Sequence, residues 1–272
     1  MTNKVVSKDG TTIGYTSVGR GPAVLVIPGV LSMAADYAAF ASALGDSFTV
    51  HVIERRGRGE SGPQGDDYSV VKECEDLLAL QHETGASLVV GHSYGGLVAL
   101  EVARNTAAFT KVVVYEPGVS ISGSMGANRM SSYERKLAAG RNLDALAEYA
   151  LAVGPRRMQG WPTWLMKLML SLNLVWHPEQ RHMLDLLPQL RREWGEIARL
   201  DSSYENYREV VADVLLMYGG RSDSLAVDLQ VERLPAILSS FKTRQFPTLD
   251  HFGIERTAPR EVADAVAGYF VE

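Results

Sequence analysis

The stretch Gly91-His92-Ser93-Tyr94-Gly95 sets a serine between two glycines, each two residues away. A serine hydroxyl is a poor nucleophile near neutral pH. The spacing therefore carries chemistry only if the backbone exposes the oxygen and a base stands beside it. Alone the pattern is weak, and its setting gives it weight. The apolar run Leu88-Val89-Val90 precedes it and the helical run Leu97 to Ala103 follows, so the serine falls at a strand-to-helix turn. A serine at the tip of so tight a turn holds strained backbone angles, of order 1–3 kcal/mol. Neighbouring strands also pass too close for a side chain two positions before or after it, a need that Gly91 and Gly95 meet. The following helix aims backbone N–H groups and a positive dipole end at the place where an oxyanion would form. The plainer alternative is an ordinary glycine-rich connection. His92 reads as a packing residue without a role in proton transfer.

The base and its orienting carboxylate must come from elsewhere. Where a serine elbow of this kind works, the acid follows the serine in the chain and the histidine comes last. Of six histidines, His51 lies in a predicted strand, His82 ends a helix before the serine, and His177 and His182 fall in a helical stretch. His251, in Thr248-Leu249-Asp250-His251-Phe252-Gly253, occupies a loop between the last predicted strand and the final helix, and is the expected base. For the acid, Asp223 ends the turn Tyr218-Gly219-Gly220-Arg221-Ser222-Asp223 just beyond a strand. A helix cap is its competing explanation. Glu116, directly after the strand ending at Tyr115, is the alternative acid. Asp250 is too near His251 in the chain to turn back onto its ring.

The elements that would position these residues alternate between short apolar runs and helical patterns, which predicts an α/β fold with a parallel, helix-flanked sheet. Val5 to Ser7 and Ile13 to Val18 read as a hairpin edge. Ala23 to Ile27, Thr49 to Ile53, Ser87 to Val90 and Lys111 to Tyr115 read as strands, separated by helices over Ala34–Leu44, Ser69–His82 and Leu97–Arg104. From 117 to 212 the strand rhythm gives way to helices over Ser131–Ala138, Leu143–Val153, Trp164–Leu174 and Glu179–Leu200. This predicts a helical cap inserted after the sixth strand. Strands Val214–Tyr218 and Lys242–Phe246 and helices Ala226–Leu238 and Pro259–Phe270 complete a core built from 1–116 and 213–272.

Bulk properties narrow the classes. A hydrophobic content of 46% in 272 residues supports a sizeable core. With 27 basic and 32 acidic residues, and no basic block longer than the Glu54–Arg58 stretch allows, nucleic acid is an unexpected partner. One cysteine, Cys74, excludes an internal disulfide. The polar start lacks a signal-peptide pattern, so a cytoplasmic location is expected. The apolar stretch Trp161–Trp176 is interrupted by Lys167 and Asn173 and is shorter than the roughly 20 residues a bilayer needs.

Taken together, these motifs resemble the α/β-hydrolase superfamily over nearly the whole chain, most closely its small esterases, haloperoxidase-like enzymes and ring-cleavage hydrolases. Beside the serine elbow and Leu249-Asp250-His251-Phe252-Gly253, the segment Ile53 to Gly62 is similar to the family's DxRGxGxS loop. Ile27-Pro28-Gly29-Val30 stands where the family carries HG. Glu54 replaces the usual aspartate and Pro28 the usual histidine. The resemblance implies backbone N–H groups of Val30 and Tyr94 as the oxyanion hole, and acyl transfer through Ser93, His251 and Asp223 onto water.

No metal or organic cofactor is expected, since the sequence lacks metal-ligand clusters such as HExxH or paired CxxC. The expected substrate is a small to medium ester, thioester, lactone or related carbonyl compound with an apolar acyl or ring portion. Trp161, Trp164, Leu165 and Met169 are candidate pocket residues, with packing on the sheet or a dimer interface as the competing uses of that segment. The arginines at 156, 157, 191 and 192 are expected to be solvated. A monomer or homodimer fits equally. The same triad geometry also hosts lyases, perhydrolases and cofactor-free oxygenases, and a non-catalytic ligand receptor is the more distant alternative.

Overall fold

The computed structural model describes residues 2–272. Eight strands, β1 (Thr2–Val6), β2 (Thr12–Gly19), β3 (Ala23–Ile27), β4 (Thr49–Ile53), β5 (Leu88–His92), β6 (Lys111–Tyr115), β7 (Asp213–Gly219) and β8 (Phe241–Phe246), form one sheet in the order β1-β2-β4-β3-β5-β6-β7-β8. Strand β2 runs antiparallel to both its neighbours, and every other pairing is parallel. The helices are α1 (Ala38–Leu44), α2 (Val70–Thr84), α3 (Tyr94–Asn105), α4 (Met130–Ala138), α5 (Asn142–Val153), α6 (Arg156–Gln159), α7 (Thr163–Trp176), α8 (His182–Asp185), α9 (Leu187–Arg199), α10 (Leu225–Arg233) and α11 (Pro259–Val271).

The central strands are apolar throughout because both sheet faces are covered. Along β3, Val24 and Val26 join one core with Phe40, Leu44, Val262 and Val266, while Leu25 and Ile27 join the other with Leu77, Val98 and Leu100. The period-two alternation of strand side chains thus divides one continuous apolar run between two helical layers.

Between β6 and β7 every regular element among the described residues is helical. The single helix expected over Glu179–Leu200 is three pieces: a 3-10 turn at Pro178–Arg181, α8 and α9. Pro188 sets the break. Its ring and missing N–H cannot continue a helix through it, so α9 starts afresh with the proline in its first turn. Pro235 shortens the helix expected over Ala226–Leu238 in the same way, leaving α10 and a 3-10 turn at Leu234–Ala236.

This helical segment is bound to the sheet layer by buried charge. Glu193 of α9 lies 2.9 Å from Arg55 and 2.8 Å from Arg58, and Arg55 also pairs with Glu73 of α2 at 2.8 Å, all four side chains being inaccessible. Arg56 pairs with Asp76 at 2.6 Å and Asp9 at 2.7 Å. The short basic run is therefore a set of interior ion pairs, which its sequence did not reveal.

Candidate active site

Ser93 joins β5 to α3 with φ 53° and ψ −122°, a backbone that strains any residue but glycine. The flanking glycines are dictated by distance. A Cβ on Gly91 would lie 2.3 Å from the Gly95 carbonyl oxygen, and one on Gly95 would lie 2.1 Å from that of Ile27. Helix α3 begins at Tyr94, earlier than its apolar run suggests, because both Gly95 and Gly96 belong to its first turn. The Ser93 carbonyl accepts the N–H groups of Gly96 and Gly118 at 2.8 and 2.7 Å, and its N–H bonds the Tyr115 carbonyl at 3.0 Å.

The loop after β3 crosses this elbow. A Cβ on Gly29 would stand 3.1 Å from that of Ser93. Arg55 donates to the Gly29 carbonyl at 3.0 Å, Arg58 to that of Ser32 at 3.0 Å, and His182 of α8 lies 3.1 Å from that of Leu31, itself at φ 56°. Ser32 Oγ donates to Glu255 at 3.0 Å. The loop is thus pinned at successive residues, with an arginine serving the segment where the usual histidine is replaced by Pro28. The Val30 N–H has no acceptor among the described residues. The Tyr94 N–H, first in its helix, has none within that helix.

His251 and Glu116 form the next layer. His251 Nδ1 lies 2.9 Å from Glu116 Oε2, and Glu116 is buried at the end of β6 with φ 42°. Its other oxygen accepts the Gly219 N–H at 2.8 Å and the Ser222 hydroxyl. A carboxylate at Nδ1 keeps the proton there, so Nε2 is the atom free to take another. Burial opposes charge on the His251 ring, but the Glu116 hydrogen bond and charge, with Glu255 and Asp250 adding, raise its pKa above the ordinary histidine value.

Asp223, expected from sequence as the acid, points elsewhere. It bonds Arg156 Nε at 3.0 Å and the Arg157 N–H at 3.2 Å, and these contacts lower its pKa. The reason lies in the β7 loop. Gly219 and Ser222 turn their donors inward to Glu116, which carries Asp223 outward to the helical segment. The residue named as the alternative acid is the one the structure pairs with the histidine.

The apolar segment also divides differently from expectation. Trp161 and Met166 pack with Ala147 and Leu151, and Leu165 is half-buried, but Trp164 and Met169 are 67% and 43% exposed. Helix α7 rests against α5 rather than the sheet, and its outer face carries Trp164, Leu168, Leu172, Val175 and Trp176 to the surface. Sequence reasoning missed Tyr37, which lies 2.5 Å from His92 Nδ1, and the contact of His182 with the loop after β3. Neither has a local signal, because each partner is distant in the chain. No described helix is long and apolar enough to cross a membrane.

The strand order, the strained serine and a carboxylate-bonded histidine on the same sheet rim define an α/β hydrolase. Residues 24–265 match the model of the alpha/beta hydrolase family, and the chain belongs to that family of hydrolytic enzymes. An alpha/beta hydrolase from Sphaerobacter thermophilus superposes with a TM-score of 0.83 at 26% identity, covering 98% of this chain and 100% of the other. An esterase from Exiguobacterium antarcticum superposes at 0.77 with 15% identity, both chains fully covered, which speaks to the fold. In sequence, the chain is 32% identical over 123 residues to an N-formylmaleamate deformylase of Pseudomonas putida. That match covers 43% of this chain and 46%, about half, of the relative.

Proposed function

We propose that this protein transfers an acyl group from a small or medium carbonyl substrate to water through Ser93, His251 and Glu116. The observation that carries the reading is the 2.9 Å bond between His251 Nδ1 and Glu116 Oε2, on the rim that bears Ser93. Ser93 Oγ attacks the carbonyl carbon as His251 Nε2 takes its proton, and the oxyanion is held by the N–H groups of Val30 and Tyr94. Collapse expels the leaving group, which receives the proton from His251. A water activated by the same ring then releases the acid and regenerates the serine. The helical segment 117–212 acts as a cap over Ser93. The chemistry asks for no cofactor.

Esters, thioesters and lactones are the primary substrate class. The partial match to a deformylase adds N-formyl amides as a second class, in which the same attack would release formate. Replacement Ser93→Ala is expected to remove turnover of short p-nitrophenyl esters by orders of magnitude and to abolish fluorophosphonate labelling. A folded variant that still labels overturns the assignment.

A further inference from the structure

His92, the residue before the nucleophile, uses both ring nitrogens. Nδ1 lies 2.5 Å from the Tyr37 hydroxyl and Nε2 lies 2.9 Å from the His251 carbonyl. Tyr37 is fully buried and its oxygen accepts the Gly29 N–H at 3.0 Å. The His251 carbonyl can only accept, so Nε2 carries a hydrogen, and in the neutral ring Nδ1 is then an acceptor. The Tyr37 hydroxyl, which accepts from the Gly29 amide, therefore donates its one proton to Nδ1. The result is one directed chain: Gly29 N–H to Tyr37 O–H to His92 Nδ1, and His92 Nε2–H to the His251 carbonyl.

Its two ends matter. Gly29 precedes Val30, whose N–H faces the oxyanion in the proposed reaction, and the His251 carbonyl belongs to the proposed base. The neighbouring Asp250 carbonyl is held at 2.7 Å by the Tyr115 hydroxyl, and the His92 and His251 rings stand 4.7 Å apart. We propose that Tyr37 and His92 are positioning residues, a buried strut that sets the oxyanion loop and the base loop at a fixed separation across the nucleophile. Burial, with the His251 ring and Arg256 nearby, holds His92 well below the ordinary histidine pKa and so keeps the ring in the form the strut needs.

Three variants dissect the strut. Tyr37→Phe removes its centre, His92→Gln keeps a donor toward His251 but loses the acceptor for Tyr37, and His92→Asn does the reverse. Each is expected to lower kcat for p-nitrophenyl acetate by about 10- to 100-fold, the range that a displacement near 1 Å brings, with KM unchanged. Because Tyr37→Phe and His92→Gln break the same bond, the double variant should be no slower than the worse single one. Wild-type kcat in Tyr37→Phe and His92→Gln, or additive losses, overturns the strut. Should the variants not fold, 15N NMR of the wild-type protein decides. The His92 ring should stay neutral with its proton on Nε2 between pH 5 and about 8, where unperturbed histidines titrate. Titration there, or a proton on Nδ1, refutes it. The kinetic arm rests on the proposed triad, whereas the NMR arm does not. Labelling retained by Ser93→Ala would thus defeat the triad without touching the His92 result.

Discussion

Glu116 and Asp223 follow adjacent parallel strands, yet of the two only Glu116 reaches His251, at 2.9 Å, while Asp223 is bonded to Arg156 at 3.0 Å. Replacement Glu116→Gln should therefore lower kcat on the order of 10⁴-fold, the scale of losing an orienting carboxylate. Asp223→Asn, which suits the left-handed backbone there, should leave kcat intact and change stability within about 0.5 kcal/mol. Steady-state kinetics on both variants would expose a reversed ranking.

The raised pKa of His251 sets the acid limb of activity. The ring must be neutral to act as base, so kcat/KM should rise with pH through a midpoint above the ordinary value of 6.5. Glu116→Gln should move that midpoint down. The same shift has a stability sign. A folded-state pKa above the unfolded one stabilises the fold below the unfolded value, and that contribution fades as pH rises through the folded value. A pH–rate profile of both proteins, with thermal melts at matching pH, checks both statements.

At the elbow, Gly95→Ala should destabilise by about 1–3 kcal/mol or more, because its Cβ would meet the rigid Ile27 carbonyl oxygen at 2.1 Å. Gly268→Ala is the control. Nothing lies within 4 Å of a Cβ there, and the site is exposed in α11, so a gain of about 0.5–1 kcal/mol is expected. Urea denaturation of the pair measures the contrast.

The interior ion pairs give a further prediction. Glu193→Ala leaves Arg58 buried without its carboxylate and should cost about 3–5 kcal/mol. Replacing Arg58 and Glu193 together by methionine should recover part of that loss, since Arg55 keeps Glu73. Denaturation midpoints that fall further in the double variant would contradict this account.

Much of this was legible in the sequence. The central strands announce themselves as apolar runs closed by glycine, proline or a polar residue, and the strand-to-helix turn at Ser93 and the loop that carries His251 follow from them. Choosing between Glu116 and Asp223 was not possible from spacing, because both follow buried strands. The choice is made by where the Gly219 N–H and the Ser222 hydroxyl point. Tyr37 sits in an ordinary helical pattern 55 residues from His92, so nothing local marks it. Apolar content along α7 suggested concealment, but the stripe through Trp164, Leu168 and Leu172 faces away from α5, the helix that α7 rests against.

Leu31, Ser93, Glu116 and Asp223 all hold left-handed backbones, one on each loop following β3, β5, β6 and β7, four strands that are neighbours in the sheet. At about 1–3 kcal/mol apiece, this concentrates backbone strain along one edge of the sheet. Selection for heat tolerance alone would find its easiest gains there, by substituting glycine. Under the proposed mechanism, such gains at Ser93 and Glu116 would silence turnover while leaving a sturdier shell, so durability and catalysis would pull this rim in opposite directions.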